Sequence, residues 1–355
     1  MINFFKKAII KKIVRNLQDK PLFNPKSKNF LFLKDLPKYN MHSFGKKNPQ
    51  KIFYVIKIDK PGGGIFSNLL FVLNHLKLCE KFKLIPVIDM ENFYTKYNEK
   101  KPLENNKNSW LYYFEEVSKY NLNEVYKSKN VLMTDGFFSP SMTRSYKNDS
   151  NLKNIFKKYI KIKSTHINNT IKFAQKNFYG KKVLGVHFRG TDMKVVPSHP
   201  LPPTPKQMFY IIDKLIEKKK FTKIFIATEQ LKYLKMFKRK YGELICYRDS
   251  FRSDQNKIFD LKNRKNHRYE TGRDSMEEML LFSKLDYLVC SRSSVSELAI
   301  MLSKKPISYF EIDNGINSSG ILYSQFKWLL KSILPEYFGG FKNKINIKFK
   351  KKFFK

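Results

Sequence analysis

The pattern of apolar and polar positions alternates between short apolar runs and longer amphipathic stretches along most of the chain. In the first half, apolar runs predict strands at 52–58, 84–89 and 131–135, with a helix at 66–81 after the first strand. From residue 183 the alternation is regular. There the pattern predicts strands at 183–188, 223–228, 244–247, 286–290 and 306–310, and helices at 205–220, 231–241, 274–284 and 295–302. Because strands that alternate with helices form parallel sheets, we expect an α/β protein.

A lysine-rich stretch separates the two alternating regions. Residues 152–178 have the pattern of one long helix, and we interpret this helix as a linker. With 355 residues the chain is long enough for two cores, so we expect two doubly wound halves. The predicted parts are a basic amphipathic N-terminal segment at 1–20, an N-terminal Rossmann-like domain on the acceptor side at 45–175, a C-terminal Rossmann-like domain at 180–340 and a basic tail at 341–355.

Composition excludes several classes of protein. Hydrophobic residues make up 42% and charged residues 28%, a balance typical of folded chains. The three cysteines, Cys79, Cys246 and Cys290, are scattered and odd in number, which excludes a disulfide framework. Neither Cys-x-x-Cys nor His-Glu-x-x-His occurs, and no apolar run reaches the roughly 18 residues that span a bilayer. We therefore expect a reduced, globular, cytoplasmic protein.

The formal net charge of +40 raises the hypothesis of nucleic-acid binding. Lysine supplies 60 of the 70 basic residues and arginine only ten. Arginine is the residue whose fork matches phosphate oxygens, so we interpret most lysines as a solvated surface and expect no specific nucleic acid. Eight of the ten arginines lie between Arg189 and Arg292, which indicates a phosphate site in the C-terminal half.

The N-terminal residues 1–17 have apolar side chains at helical spacing with lysines and one arginine between them. A basic amphipathic helix suits an anionic membrane surface, and the basic tail can act with it. We therefore expect peripheral contact with the inner face of a membrane. A helix packed on the body of the protein explains the same pattern, and both interpretations stay open.

The clearest candidate chemistry lies at the end of the strand at 183–188. Residues 185–192 read Gly-Val-His-Phe-Arg-Gly-Thr-Asp, and strand alternation places His187 and Arg189 on the same side. An arginine there can neutralise a departing diphosphate, and His187 can form a hydrogen bond to a base or a phosphate. A buried Arg189–Asp192 pair that closes the strand end is the structural alternative.

This motif resembles the His-x-Arg-x-x-Asp motif of the GDP-fucose-dependent fucosyltransferases of the α1,2-, α1,6- and protein O-fucosyltransferase superfamily. Three further stretches are similar to that superfamily's motifs, in the same order. They are the glycine-rich loop 64–68, the strand end 226–230 with Glu229 where the family has Asp, and the helix, strand and Ser-Ser pair at 274–294. Residues 267–269, His-Arg-Tyr, also fit. The resemblance covers roughly residues 52–312.

The resemblance implies two facing Rossmann-like domains of the glycosyltransferase B type, with GDP-fucose bound by the C-terminal domain. Carried over by position, His187 and Glu278 contact the guanine, Arg189 and Ser294 hold the β-phosphate, and Gly64 and Asn68 close over the donor. Thr228, Glu229, Tyr269 and Ser293 complete the implied donor-binding set, with Glu229 on the ribose. The chemistry agrees, because a carboxylate can accept both N–H groups of the guanine edge and a helix N-terminus favours phosphate. A plain N-cap at Ser293 and a plain tight turn at the glycines are the alternatives.

Two departures from the family pattern concern catalysis. Gly190 follows Arg189 where several members have a second arginine. The catalytic Glu of the α1,6 branch has no counterpart, because residues 195–199 read Val-Val-Pro-Ser-His. The base is therefore Asp192 or His199, with Asp192 preferred because it follows the strand end directly.

No Asp-x-Asp sequence occurs, so we expect no metal and no cofactor besides the donor substrate. The sequence predicts an inverting, metal-independent fucosyltransferase that transfers fucose from GDP-fucose to a glycan acceptor. Two alternatives stay open. One is a glycosyltransferase of the same fold with another nucleotide sugar, and the other is a basic protein that binds nucleic acid or membrane.

Overall fold

The structure, a computed structural model, describes residues 40–58, 63–134, 142–255, 259, 261, 264–345 and 347–350. The N-terminal segment 1–20 and the last residues of the tail, 351–355, lie outside the described residues. By its contacts the chain divides into two compact units. The first unit runs to Arg144 and includes Asn148–Lys163, and the second consists of Ser145–Lys147 and the chain from Ser164 onward.

The first unit is built on a four-stranded sheet in the order β1-β4-β2-β3. Its strands are β1 (Asn40–His42), β2 (Phe53–Ile56), β3 (Ile85–Ile88) and β4 (Val131–Met133). β2 pairs in parallel with both of its neighbours, and β1 is antiparallel to β4. β2 is fully buried, which explains its continuous apolar run.

Helices and short turns cover this sheet. The helices are α1 (Ile65–Phe82), α2 (Leu122–Val125) and α3 (Leu152–Tyr159), with a 3₁₀ turn at Ser109–Tyr112. A further 3₁₀ turn, Tyr146–Asn148, lies mostly in the segment Ser145–Lys147 of the second unit. α1 starts at the glycine-rich loop, and twelve of its residues are buried. Its apolar side chains therefore form much of the core of this unit.

The second unit contains five parallel strands in the order β7-β6-β5-β8-β9. The strands are β5 (Val183–His187), β6 (Lys223–Ala227), β7 (Ile245–Cys246), β8 (Tyr287–Ser291) and β9 (Ser308–Ile312). Counted from β5 this is the Rossmann order 3-2-1-4-5, and the order reverses between β5 and β8. Ligands of such sheets bind outside the carboxyl ends of the strands at that reversal.

Six helices accompany this sheet among the residues described. They are α4 (Ser164–Phe178), α5 (Pro205–Lys219), α6 (Leu231–Tyr241), α7 (His267–Phe282), α8 (Ser294–Leu302) and α9 (Ile321–Ile333), with 3₁₀ turns at Thr191–Lys194, Gly242–Leu244 and Glu336–Phe338. A capping box formed by Thr204 and Gln207 fixes the start of α5. At Gly185 a Cβ atom would lie 2.8 Å from a methyl group of Leu285, so the absent side chain allows close packing on β5.

The predicted α/β class with parallel strands is confirmed, and the facing of the two halves stays a prediction. The prediction of one helix over 152–178 is wrong. After α3 the chain pairs with residues 113–115. The N–H of Glu115 donates to the carbonyl of Lys161, and the N–H of Lys163 donates to the carbonyl of Tyr113. These bonds replace helical ones and separate α3 from α4. α7 begins at His267, seven residues before the predicted start, and neither β1 nor α9 was predicted.

Candidate functional site

The carboxyl ends of β5, β6 and β8 meet at one edge of the second sheet. His187, the last residue of β5, lies opposite Ala227 of β6 and opposite Cys290 of β8. The residues that follow these strands therefore begin side by side, with Arg189 after β5, Glu229 after β6 and the start of α8 after β8. This is the edge at which a Rossmann sheet binds its ligand.

His187 is buried and packs edge-on against Phe282, with 5.7 Å between the ring centroids. Burial, with a smaller contribution from the charge of Arg189, lowers the pKa of His187 to about 3. The ring is therefore neutral at physiological pH. Its Nδ1 atom is buried and has no hydrogen-bond partner among the described residues. A buried polar atom without a partner is costly, and a ligand at this edge can satisfy it.

Arg189 keeps about a third of its side chain exposed and lies beside Glu229, with Nε 3.8 Å from Oε1. The same oxygen accepts the backbone N–H of Gly190 at 3.0 Å. Glu229 therefore shapes the turn that follows β5. The two side chains are partly buried, and an ion pair of this length is weak, so Glu229 keeps the guanidinium near the sheet edge without neutralising it.

Gly190, the departure from the family pattern, is explained by close packing. A Cβ atom at this position would lie 1.9 Å from the side-chain oxygen of Gln230 and 2.8 Å from the ring of Tyr233. A second arginine after Arg189 would displace both neighbours. The site therefore has one arginine at this turn.

Two neighbouring glutamates of α7 have different surroundings. Glu277 is fully buried, forms an ion pair with Arg248 and accepts a hydrogen bond from Asn169 of α4 at 3.0 Å. Burial alone would raise the pKa of Glu277, but His166 and Arg248 outweigh it and hold the pKa below its usual range. This carboxylate fastens α7 to α4.

Glu278 is only partly buried and accepts one hydrogen bond, from the hydroxyl of Ser250 at 2.8 Å. Burial raises the pKa of Glu278 to about 7, against a smaller lowering by the charge of Arg252. No hydrogen bond to its second oxygen is made by the residues that the structure describes. Tyr269, on the same helix, packs against His166 of α4 with 6.3 Å between the ring centroids.

Four of the eight arginines between Arg189 and Arg292 lie beside acidic side chains, so ion pairs explain part of their clustering, and a phosphate site in this half stays a prediction. Arg264 forms an ion pair with Asp274 at 2.8 Å, and Arg273 pairs with Glu270. Together with Arg248 they neutralise the acidic side of α7. Buried charges need such partners, so clustering in sequence reflects the acidic residues as much as any ligand.

Two hydroxyl groups at the sheet edge, those of Ser293 and Thr228, already accept hydrogen bonds from backbone N–H groups of the protein. Ser293 is the N-cap of α8 and accepts the N–H of Val295 at 3.2 Å. Thr228 accepts the N–H of Gln230 at 3.3 Å. Ser294 is the first residue of α8, which begins at the carboxyl end of β8. The N-terminus of α8 thus provides a positive partial charge at the same edge.

The loop with the two candidate bases is held by residues that sequence reasoning missed. Asn317 is buried and donates its N–H to the carbonyl of His199 at 2.7 Å and its side-chain N–H to that of Val196 at 3.2 Å. Ser324 donates to the carbonyl of Val195 at 3.0 Å. The side chain of His199 is exposed, and that of Asp192 lies outside the described part of the structure. No local motif marks Asn317, because its partners are more than a hundred residues away.

Glu297, in the first turn of α8, was also missed. It is buried and accepts hydrogen bonds from the hydroxyl of Ser145 at 2.7 Å and the N–H of Tyr146 at 3.0 Å. Lys147 pairs with Glu311 and lies 3.8 Å from Glu297. A carboxylate near a helix N-terminus is favourable, and here it also anchors residues 145–147.

Gly64 and Asn68 belong to the first unit, where they form a closed loop. Asn68 accepts the N–H of Gly63 at 3.0 Å, and the N–H of Ile65 donates to the hydroxyl of Tyr97 at 2.7 Å. The glycine turn is therefore stabilised by its own neighbours. Its backbone amides at Gly63 and Ile65 are not free to hold a phosphate.

Within the described ranges, no group of three His, Cys, Asp or Glu side chains is arranged to hold a metal ion. The helices of the same ranges include none that is long and apolar enough to cross a membrane.

The structure is similar to crystal structures of the NodZ α-1,6-fucosyltransferase. The one co-crystallized with GDP has 13% sequence identity and a TM-score of 0.51, and the one soaked with GDP-fucose has 14% and 0.50. The fucosyltransferase NodZ from Bradyrhizobium gives 14% and 0.50, and all three matches cover 75% of this chain and 98% of the other. No protein-family model and no curated protein sequence matches the chain. At this identity the likeness concerns the fold, and it confirms the α/β fold class of the glycosyltransferase B type.

Proposed function

We propose that the protein is an inverting, metal-independent fucosyltransferase that transfers fucose from GDP-fucose to a glycan acceptor. The observation that carries the proposal is the reversal point of the second sheet, where the buried Nδ1 atom of His187 has no hydrogen-bond partner among the described residues and Arg189 is partly exposed. A nucleotide diphosphate matches this pair, because it offers hydrogen-bonding groups and negative charge together. The motif resemblance and the fold shared with NodZ support GDP-fucose as the donor.

The guanine is assigned to His187 and Glu278. An ionised Glu278 accepts the N–H groups of the guanine edge, which neither uracil nor adenine offers in the same arrangement. The neutral ring of His187 provides a further hydrogen-bonding atom. Tyr269 and Thr228 remain in the proposed donor set on the strength of the family motifs.

The diphosphate is assigned to Arg189 and to the start of α8 at Ser293 and Ser294. The charge of Arg189 and the partial positive charge of the helix N-terminus stabilise the negative diphosphate, as a metal ion does in other glycosyltransferases. Glu229 holds the turn of Arg189 through Gly190 and is assigned to the ribose. The fixed geometry of this turn means that the arginine needs little reorganisation as charge develops on the leaving group.

In the transfer step the acceptor hydroxyl oxygen attacks C1 of fucose from the side opposite to GDP. The bond between C1 and the diphosphate oxygen breaks, and its electron pair leaves with GDP. The proton of the hydroxyl passes to a base, which we assign to Asp192, with His199 as the second candidate. Asn317 and Ser324 hold the loop that carries both residues.

Gly64 and Asn68 enter the proposal as the donor contacts of the first unit, which is assigned to the acceptor side. The acceptor is assigned to surface glycans assembled in the cytoplasm. The N-terminal segment 1–20 then brings the enzyme to the inner face of an anionic membrane.

Thermal-shift measurements with GDP, UDP, GDP-fucose and GDP-mannose, each with excess EDTA, test the proposal. We expect stabilisation by GDP and a larger one by GDP-fucose, unchanged by EDTA. Stronger stabilisation by GDP-mannose would assign another sugar to the same fold. Binding that requires Mg²⁺ or Mn²⁺ would contradict the metal-independent mechanism. Salt-sensitive binding of RNA without any response to GDP would contradict the enzyme assignment.

A further inference from the structure

Helix α9 is amphipathic, but its polar side faces the protein body and its apolar side is exposed. Ser324 donates to the carbonyl of Val195, Lys327 to that of Ile316 at 2.8 Å and Trp328 to that of Pro202 at 2.8 Å. Lys331 reaches the carbonyl of Gly339 at 2.6 Å. The helix is therefore fastened to the second unit by hydrogen bonds along its polar side.

The opposite side of α9 presents large apolar side chains to the outside. Leu322 is 81% exposed, Phe326 59% and Ile333 70%. We call this surface the α9 apolar face, and it comprises Ile321, Leu322, Phe326, Leu329, Leu330 and Ile333. A contiguous apolar surface of this kind is uncommon on a monomeric soluble protein and marks a contact site.

The charge of the surrounding sequence indicates which kind of partner binds the α9 apolar face. Residues 321–350 include six lysines and a single acidic residue, Glu336. A second copy of the chain would bring two proteins with a net charge of +40 together, and the N-terminal segment is itself basic. Four of these lysines, Lys342, Lys344, Lys348 and Lys350, follow the helix and are exposed. An anionic phospholipid surface complements both the apolar face and this excess of positive charge in the same part of the chain.

Two exposed aromatic residues follow the helix in the chain. Tyr337 is 80% exposed, and the neighbouring Phe338 is also exposed. Such rings are enriched at the boundary between lipid and water, where an apolar body and a polar tip are both accommodated. We propose that the α9 apolar face docks the protein on a membrane that contains anionic phospholipid. This inference is independent of the donor and of the transfer reaction.

Co-sedimentation of the full chain with vesicles of phosphatidylglycerol and phosphatidylcholine tests the inference. We expect the wild type to bind these vesicles and to bind pure phosphatidylcholine much more weakly. The double substitution Leu322→Glu with Phe326→Glu should lower the partition coefficient by about a hundredfold or more, because two apolar side chains no longer enter the lipid. Both positions are exposed, so folding should not change.

The matched control is Ile167→Glu with Ile171→Glu on α4. These isoleucines are also exposed and four residues apart, so the control adds the same charge with the same spacing. It should keep more than half of the binding of the wild type. Equal binding by the α9 variant and the wild type, or equal loss in the control, would overturn the inference.

Deletion of residues 1–39 distinguishes a lipid surface from the chain's own N-terminal residues as the partner of the α9 apolar face. Vesicle binding that persists after this deletion supports α9 as the docking surface. Binding that appears only after the deletion would show that the chain's own N-terminus covers the face, and it would overturn the inference. The GDP thermal shift of the α9 variant, measured in parallel, should equal that of the wild type. A chain that binds vesicles but not GDP would leave this inference standing and refute the proposed function alone.

Discussion

The glycine-rich loop of the first unit and the strand ends of the second unit both follow buried parallel strands, yet they differ in what they leave open. In the first, the amides of Gly63 and Ile65 are taken up by Asn68 and Tyr97. In the second, His187 retains an open Nδ1 atom, and Arg189 keeps about a third of its side chain exposed. A glycine-rich turn before a helix is therefore not enough to make a phosphate site. What distinguishes the second unit is a buried polar atom, Nδ1 of His187, that has no hydrogen-bond partner among the described residues.

Replacement of Arg189 should give the largest effect on turnover. Arg189→Ala removes the charge that we assign to the leaving diphosphate, and we expect a loss of about 10²–10³-fold in kcat. Arg189→Lys should recover little, because an ammonium group cannot form the bidentate contact of a guanidinium. A folded alanine variant with nearly full turnover in a GDP-release assay would show that the open edge of the second unit is not the reaction site.

Glu277 and Glu278 of α7 allow the same comparison, between a group engaged inside the protein and a group assigned to a ligand, within one helix. Glu278→Gln replaces one acceptor oxygen with an N–H₂ donor that faces a donor of guanine, and we expect GDP to bind about a hundredfold more weakly, with little change in the melting temperature. Glu277→Gln breaks a buried ion pair with Arg248 and should instead lower the free energy of unfolding by about 3–5 kcal/mol. Calorimetry and thermal denaturation measure the two effects separately. The reverse outcome would exchange the assigned roles.

The pH dependence of GDP binding tests the state of Glu278. Its pKa is raised to about 7, so the ionised form that accepts guanine dominates above pH 7 and declines below it. We expect GDP affinity to be constant above pH 7 and to fall about tenfold for each unit below. The phosphate of GDP titrates in the same range, and the Glu278→Gln variant serves as the control, because its profile should reflect the phosphate alone. Identical profiles for both proteins would exclude Glu278 as the titrating group.

Asn68 should give the smallest effect, since its loop is already stabilised from within. Asn68→Asp keeps an oxygen for the N–H of Gly63 but replaces the amide N–H₂ with a charge that repels the donor. We expect a fall in kcat/KM of about tenfold or less, with an unchanged melting temperature. Turnover equal to that of the wild type would mean that Asn68 only supports the loop and makes no donor contact.

Periodicity predicted the regular parts of the fold, because local patterns determine them. The predicted strand at 223–228 and helix at 231–241 match Lys223–Ala227 and Leu231–Tyr241 closely. The break between α3 and α4 escaped prediction, since it depends on pairing with residues 113–115 some fifty positions away. α9 was not predicted, and its boundaries carry no side-chain capping motif that would mark them in the sequence.

The candidate site likewise contains residues that local sequence patterns could predict and residues whose roles depend on contacts far along the chain. His187 and Arg189 could be predicted because a strand end places both on one side. The fastening role of Glu277 and the partly open state of Glu278 depend on α4 and on the loop of Ser250, which no local pattern reveals. Asn317 holds the loop of the candidate bases through contacts far along the chain. Sequence therefore identified groups that can meet a ligand, and the structure showed which of them are already engaged.

Calorimetric titration of the protein with GDP and with UDP at pH 8 tests the central claim most directly. At this pH Glu278 is ionised, and both nucleotides carry the same diphosphate. If His187 and Glu278 select guanine at the edge of the second sheet, GDP should bind at least about a hundredfold more tightly than UDP. The Glu278→Gln variant should lose that preference while it keeps its affinity for UDP. Equal affinities for GDP and UDP in the wild type would contradict the guanine assignment, and with it the proposal of GDP-fucose as the donor.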